Sequence, residues 1–272
     1  MIDMHAHICS YTDPVLAEKE LAFRSDAGIY TFFSTCTPDE LQFMHRLRKK
    51  VSDTNDPGFS ITFGIHPWYA DQWDPEDYLD YFRDCPMIGE IGMDSLWCNV
   101  PLERQQKVLE KQLTIAYDLK KPIVLHTKGC EPQISQIIQD YPWSVLIHWY
   151  SGDPESLFTL IDQGCFFTLG PDTGLSGGGA KNRLLLENVP LDHLFLETDG
   201  LDAIRWAYGE LHPERFFTVY ELNKIPDLSL IRKILKSSGT CIAKHYAINE
   251  EEISVQMEHN LHTFLYGNVF SE

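Results

Sequence analysis

The chain opens on Met1-Ile2-Asp3-Met4-His5-Ala6-His7-Ile8. Ile2, Met4 and Ala6 share one parity, and Asp3, His5 and His7 share the other. In a β-strand that period of two places His5 and His7 on the same face. Two imidazoles one pleat apart can bind a single cation from the same side, and imidazole suits Zn, Mn, Fe or Ni. The alternative is a pair of surface histidines near a frayed terminus. Further polar residues stand at or near the ends of other apolar runs: His66, Glu90, His126, His148 and Asp199. Imidazoles and carboxylates gathered at one point would hold one or two divalent cations. Taken singly, each also has a structural reading. A histidine at a strand end can be a hydrogen-bonded rim residue, Glu90 and Asp94 can form ion pairs, and Asp199 can cap a helix.

Only an architecture that collects strand ends can bring these residues together. Strand patterns cover Thr31–Thr35, Phe59–Ile65, Met87–Asp94, Lys121–Leu125, Ser144–Ile147, Cys165–Gly170 and Leu194–Leu196. The run at Lys121–Leu125 is apolar without alternation, as expected of a strand covered on both faces. Gly89 and Gly92 inside the fourth strand mark close backbone approach. Helix signals separate most strands. Thr37-Pro38-Asp39-Glu40 predicts a capping box with proline at the first helical position, and Asp74-Pro75-Glu76 and Asp153-Pro154-Glu155 repeat the pattern. Residues 101–119 predict an amphipathic helix with Leu102, Leu109, Leu113 and Ala116 on one stripe. With the opening strand this makes eight short strands over roughly 200 residues, the count and size of a (β/α)8 TIM barrel. In that fold the C-terminal ends of all strands converge on the face where active sites sit.

After Asp199 the pattern turns helical. Asn249 precedes three glutamates and caps a helix with Ile253, Met257, Leu261 and Phe264 on one face. Residues 1–272 are therefore expected to form a single barrel domain, its C-terminal helices closing the barrel. Ser176-Gly177-Gly178-Gly179-Ala180-Lys181 lacks the G-K-[ST] of a P-loop. It reads as a mobile connector or, on the active rim, a lid.

Composition narrows the function classes. The 272 residues are 43% hydrophobic and 12% aromatic, enough for a full core. A net charge of −18 argues against broad, salt-driven binding of nucleic acid. It leaves room for a phosphate ester handled by cations in a small pocket. Seven scattered cysteines without a C-x-x-C pattern, the lack of about 18 consecutive apolar residues and the lack of a signal-peptide pattern predict a cytoplasmic protein with reduced thiols and no membrane span. No feature demands an oligomer, and a monomer is expected.

The ordered set of motifs resembles the TatD family of metal-dependent hydrolases, within the amidohydrolase-like barrels, over nearly the whole length. Asp3-Met4-His5-Ala6-His7 resembles the family's D-x-H-x-H, and Gly64-Ile65-His66-Pro67 its G-x-H-P. Gly89-Glu90-Ile91-Gly92-Met93-Asp94 resembles G-E-x-G-L-D, and Gln112-Leu113-Thr114-Ile115-Ala116 the helical Q-L-x-x-A. His126-Thr127-Lys128 resembles H-x-R, His148-Trp149-Tyr150-Ser151-Gly152 resembles H-C-F-S-G, and Glu197-Thr198-Asp199 is E-T-D. The resemblance implies metal ligation by His5, His7, Glu90, His126, His148 and Asp199, with Glu90 bridging two cations (Zn, Mg or Mn). Asp199 would also orient the attacking water and take its proton, and His66 would touch a phosphate or help the leaving group. The implied reaction is phosphodiester hydrolysis at DNA ends.

The sequence departs from the family on the rim. Lys128 stands where arginine is usual, giving phosphate a point charge without a bidentate fork. Trp149 and Tyr150 replace Cys and Phe. The element after Asp199 lacks the usual Arg-Asn-Pro; Arg205 is a candidate substitute for that cation, or a surface arginine. Trp149 and Trp206 could stack on bases or simply pack. Two rivals stay open: a hydrolase of a small amide, lactone or phosphate ester on the same centre, and a non-catalytic interaction module.

Overall fold

The computed structural model describes residues 1–8, 13–51, 58–176, 179–211 and 227–267. Cys9 and the pair Gly177-Gly178 of the glycine-rich stretch lie outside the described residues. The strands are β1 (Ile2–Ala6), β2 (Tyr30–Thr35), β3 (Phe59–Phe63), β4 (Ile88–Gly92), β5 (Ile123–His126), β6 (Val145–Ile147), β7 (Phe166–Leu169) and β8 (Leu194–Leu196). Each pairs in parallel with the next, in chain order from β1 to β8. This is the expected (β/α)8 arrangement. Several strands stop short of the sequence expectation, so that Gly64–His66 and Met93–Asp94 are loop rather than strand. Gly92 has φ 149°, and a Cβ there would lie 1.9 Å from the carbonyl oxygen of His126. Only glycine allows β4 to approach β5 that closely.

Among the described residues the backbone ladder does not continue from β8 to β1. The ring is closed by other bonds. The Asp199 N–H donates to the His5 carbonyl at 3.0 Å. The Asp3 carboxylate accepts from the N–H and the hydroxyl of Thr198 at 2.8 and 2.6 Å. Asp3 is fully buried, and its charge is met by Arg24 at 2.6 Å. Arg24 lies on the helix Pro14–Asp26 and also donates to Glu20 at 2.9 Å and Thr31 at 3.0 Å. Asp3 thus closes the barrel, while its motif neighbours His5 and His7 face the mouth.

The helix Leu102–Asp118 begins at Pro101 as expected, and Leu109, Leu113 and Ala116 are buried, but Leu102 is 39% exposed. Two glutamines occupy its buried face instead. Gln105 accepts from the Asp94 N–H at 2.7 Å and donates to the Asp94 and Val100 carbonyls at 3.1 and 2.7 Å. Gln112 accepts from the Ile65 N–H at 2.7 Å and donates to the Ile65 carbonyl at 3.1 Å. Each amide satisfies backbone groups just past a strand end, where the ladder has run out.

Capping followed the sequence with one difference. Thr37 Oγ1 accepts from the Glu40 N–H at 3.2 Å, but Glu40 returns to the N–H of Cys36 at 2.7 Å, one residue earlier than a capping box requires. Asp74 caps a 3₁₀ turn, Pro75–Tyr78, that runs into the helix Leu79–Asp84. Asn249 and Glu252 form a complete capping box on the helix Glu250–Tyr266. There Phe264 packs edge-on against Phe166 of β7 and Phe195 of β8, with ring centroids 5.3 and 6.0 Å away. Among the described residues no helix is long and apolar enough to cross a membrane. The six described cysteines are free thiols.

Candidate metal centre

The strand ends bring the expected ligands into two groups that share Glu90. One group surrounds Glu90 Oε2. His5 Nε2 lies 3.4 Å from it and 3.4 Å from Asp199 Oδ1; His7 Nε2 lies 3.2 and 3.5 Å from the same two oxygens. The other group surrounds Glu90 Oε1, with His126 Nδ1 at 2.7 Å, His148 Nε2 at 3.1 Å and His66 Nε2 at 3.4 Å. Each carboxylate oxygen of one side chain therefore faces a different set of imidazoles. Asp199 reaches its place from a left-handed backbone, φ 54°, a conformation that aspartate tolerates better than most residues.

The donor set fits divalent cations. Buried polar atoms are almost always hydrogen-bonded, yet His5 Nε2 and Asp199 Oδ1 are buried and have no hydrogen-bond partner. Their group, His5, His7 and Asp199, holds its ligand atoms within 4.8 Å of one another, as do His5, Glu90 and His148. Nitrogen and carboxylate oxygen together suit zinc, manganese and related ions.

The electrostatics of the cluster favour positive charge. Burial works against the charge on Glu90, but His148, His66 and His126 outweigh it and hold the carboxyl well below its usual range. Burial likewise opposes the charge on Asp199, and His5, His148 and His7 bring it down. In return, Asp199 and Glu90 overcome the burial of His5 and lift it well above 6.5. Glu197 and Glu90 overcome that of His148 and lift it to about 9. Protons thus take the positions that cations would fill. His66 goes the other way. Its burial dominates and takes it down to about 4, so the ring is neutral at pH 7. Its Nδ1 accepts from the Trp68 N–H at 3.2 Å, which leaves the hydrogen on Nε2, facing Glu90.

Two carboxylates that the sequence reading did not mark as site residues set the tautomers of the second group. Asp94 Oδ2 takes His126 Nε2 at 3.0 Å, and Glu197 Oε1 takes His148 Nδ1 at 3.2 Å. A carboxylate on the outer nitrogen of a histidine turns the lone pair of the inner nitrogen toward the metal position. The signal for Glu197 was its parity with Asp199 at the end of β8. For Asp94 it was its place at the end of the β4 motif.

The remaining predicted residues divide. Lys128 is 3% exposed and points into the site, its ammonium donating to the Trp149 carbonyl and lying 3.4 Å from Ser151 Oγ. Arg205 does not join the group. It pairs with Asp202 one turn earlier on the helix Leu201–Leu211, at 2.7 Å. Cys36, at the end of β2, places its thiol with His7 and Glu90; burial first, then nearby carboxylates, push that thiol well up, so it stays protonated. Above the centre opens a cavity of about 1060 Å³, bordered by Trp68, Trp97, Lys128, Trp149, Lys181 and Trp206.

This geometry is matched by relatives. The family model described as TatD related DNase matches residues 2–266. Over 217 residues the chain is 27% identical to the "3'-5' ssDNA/RNA exonuclease TatD" of Pantoea vagans, an alignment covering 74% of this chain and 79% of that protein. Over 145 residues it is 35% identical to an uncharacterized metal-dependent hydrolase of Methanocaldococcus jannaschii, covering 53% of this chain and 55% of that one. The crystal structure of a TatD homologue from Escherichia coli superposes with a TM-score of 0.74 over 97% of both chains, at 19% identity. At that identity the superposition speaks for the fold, while the family rests on a match that spans almost every residue. The chain belongs to the TatD-related DNase family and is a metal-dependent hydrolase that cleaves ester bonds.

Proposed function

We propose that the chain hydrolyses phosphodiester bonds at the ends of DNA strands, with one or two divalent cations (Zn, Mg or Mn) held by His5, His7, Glu90, His126, His148 and Asp199. The observation that carries this reading is Glu90, whose two oxygens serve two separate imidazole groups, the arrangement a paired-cation phosphodiesterase needs. When bound, such cations lower the pKa of water and offset charge on a phosphate under in-line attack. The chain's own residues do the rest. The Asp199 carboxylate, beside His5 and His7, takes the proton of the attacking water. His66, neutral with its hydrogen on Nε2, donates to a phosphate oxygen or to the leaving oxygen. Lys128 offers a buried ammonium to a non-bridging oxygen. The name of the Pantoea relative, an exonuclease on single-stranded DNA and RNA, supports a nucleic-acid end as substrate.

The cavity's border favours a second reading, a small phosphate ester. Asp153, Asp172, Asp202 and Glu210 line it and repel an extended phosphate backbone. Turnover of small esters under Mg, Mn and Zn, without turnover of single-stranded ends, would decide for that reading.

The role of Asp199 is tested by Asp199→Asn. The variant is expected to retain at least one cation by elemental analysis and to lose about 10²- to 10⁴-fold in turnover, the usual worth of a positioned general base. Full activity in the variant would overturn that role.

A further inference from the structure

Three tryptophans stand along one wall of the cavity. Trp97 lies in the loop after β4, Trp149 directly follows His148, and Trp206 lies on the helix Leu201–Leu211. Trp206 meets both others edge-on, its ring centroid 5.7 Å from Trp149 at 79° and 5.9 Å from Trp97 at 70°. Trp97 is 54% exposed and Trp206 50%, a large apolar area to present beside a catalytic centre.

Trp149 is held in place from several directions. Its backbone sits at φ 38°, costly for a bulky residue and sustained only by its surroundings. Its N–H donates to Thr168 Oγ1 at 2.8 Å, and its indole Nε1 donates to Asp172 Oδ1 at 2.9 Å. Asp172 Oδ2 in turn accepts from Asn182 at 2.7 Å. The Lys128 ammonium bonds the Trp149 carbonyl and lies 5.5 Å from the ring centroid. A Cβ on Gly170 would stand 2.3 Å from the indole, so that glycine reserves the space the ring fills. The lysine offered to phosphate and the aromatic wall are therefore one assembly, a single residue from the ligand His148.

We propose that the Trp97–Trp206–Trp149 wall is a stacking subsite for the base of the nucleotide whose phosphate lies at the metal centre, a proposal that rests on the phosphodiesterase reading. A base face is neutral and polarisable, which suits exposed indole. Asp172 and Glu210 beside the wall disfavour a further phosphate there, so the wall reads a terminal nucleotide rather than tracking a strand.

The test compares single-stranded trinucleotides identical except that the terminal residue carries thymine or is abasic. Wild-type holoenzyme with Mg is expected to favour the base-bearing trimer about tenfold or more in kcat/KM, through KM, given the usual strength of base–aromatic stacking. In Trp206→Ala the ratio is expected to fall towards one, and Trp206→Phe to restore most of it. A ratio unchanged in Trp206→Ala overturns the proposal, as does a wild-type ratio of one. Calorimetric titration with thymidine 5'-monophosphate and with 2-deoxyribose 5-phosphate reads the same preference without turnover. If wild type cleaves neither trimer but still binds the thymidine compound about tenfold tighter, and Trp206→Ala does not, the wall stands and the phosphodiesterase reading falls. Equal binding of the two compounds by wild type removes the wall.

Discussion

Replacing Asp94 by Asn should show how far the second ligand group depends on a residue that touches no proposed cation. The fully buried Asp94 carboxylate accepts four hydrogens. Oδ1 takes the N–H groups of Leu96 and Trp97, both at 2.8 Å, and Oδ2 takes Trp68 Nε1 at 2.7 Å and His126 Nε2 at 3.0 Å. Burial opposes its charge, but His126, Trp68 and Trp97 outweigh that and hold it below the usual carboxylate range. In the variant the amide oxygen can still serve the two backbone N–H groups. The amide NH₂ then replaces Oδ2 and faces two donors. The histidine can answer by moving its hydrogen to Nδ1, which removes the lone pair aimed at the cation position beside Glu90. The indole cannot answer, because its nitrogen only donates. The orphaned indole, on a residue that is 45% exposed, should cost about 1 kcal/mol of stability, read as a lower urea midpoint at unchanged slope. The wrong tautomer should weaken the cation held by His126 about 10- to 100-fold, the usual effect of losing such a partner. Competitive titration with a chromophoric chelator would measure that affinity. A variant that binds the cation as tightly as wild type would refute the tautomer argument, whatever its stability.

Other consequences follow from the charges. Because His5 and His148 are raised in the cation-free protein, the latter to about 9, loading at pH 7 should expel protons; titration in buffers of different ionisation enthalpy should show a buffer-dependent heat. The raised His148 stabilises the cation-free fold fully below its unfolded pKa near 6.5. That contribution fades as pH rises through about 9, so the cation-free protein should melt at a lower temperature at pH 10 than at pH 7. Equal melting temperatures would contradict the assigned shift. Arg24→Leu should destabilise by about 3–5 kcal/mol, since it leaves Asp3 and Glu20 buried without their partner. A urea midpoint near that of wild type would show that Arg24 is not the charge holding the barrel seam.

The convergence of the histidines was legible because it follows from covalent periodicity. His5 and His7 alternate with apolar residues, and His126 and His148 end apolar runs, so strand geometry alone sends them to one mouth. The barrel was legible for the same reason, through the recurrence of short apolar runs and Asp-Pro-Glu starts. What escaped depends on which rotamer a side chain takes and what it meets. Asp94 looks like any acid near a strand end until Trp68 and His126 arrive from other elements. Gln105 and Gln112 look like solvated helix positions, and their burial is decided by unpaired backbone on a different element. Leu102 fell on the apolar stripe but sits in the first turn, beyond the core's edge. Arg205 was read for its charge, whereas its position on the helix decides its partner, Asp202.

Gln105 and Gln112 carry a consequence for how this enzyme can change. They lie seven residues apart on one helix, about two turns or roughly 10 Å, and each grips main chain just past a neighbouring strand. The helix is thus a gauge block: its pitch sets the gap between the loop that bears His66 and the loop that bears Asp94. One residue inserted between the glutamines would swing one amide about 100° around the axis and release one loop, although no ligand had been touched. The count from 105 to 112 is therefore as fixed as the loops it holds.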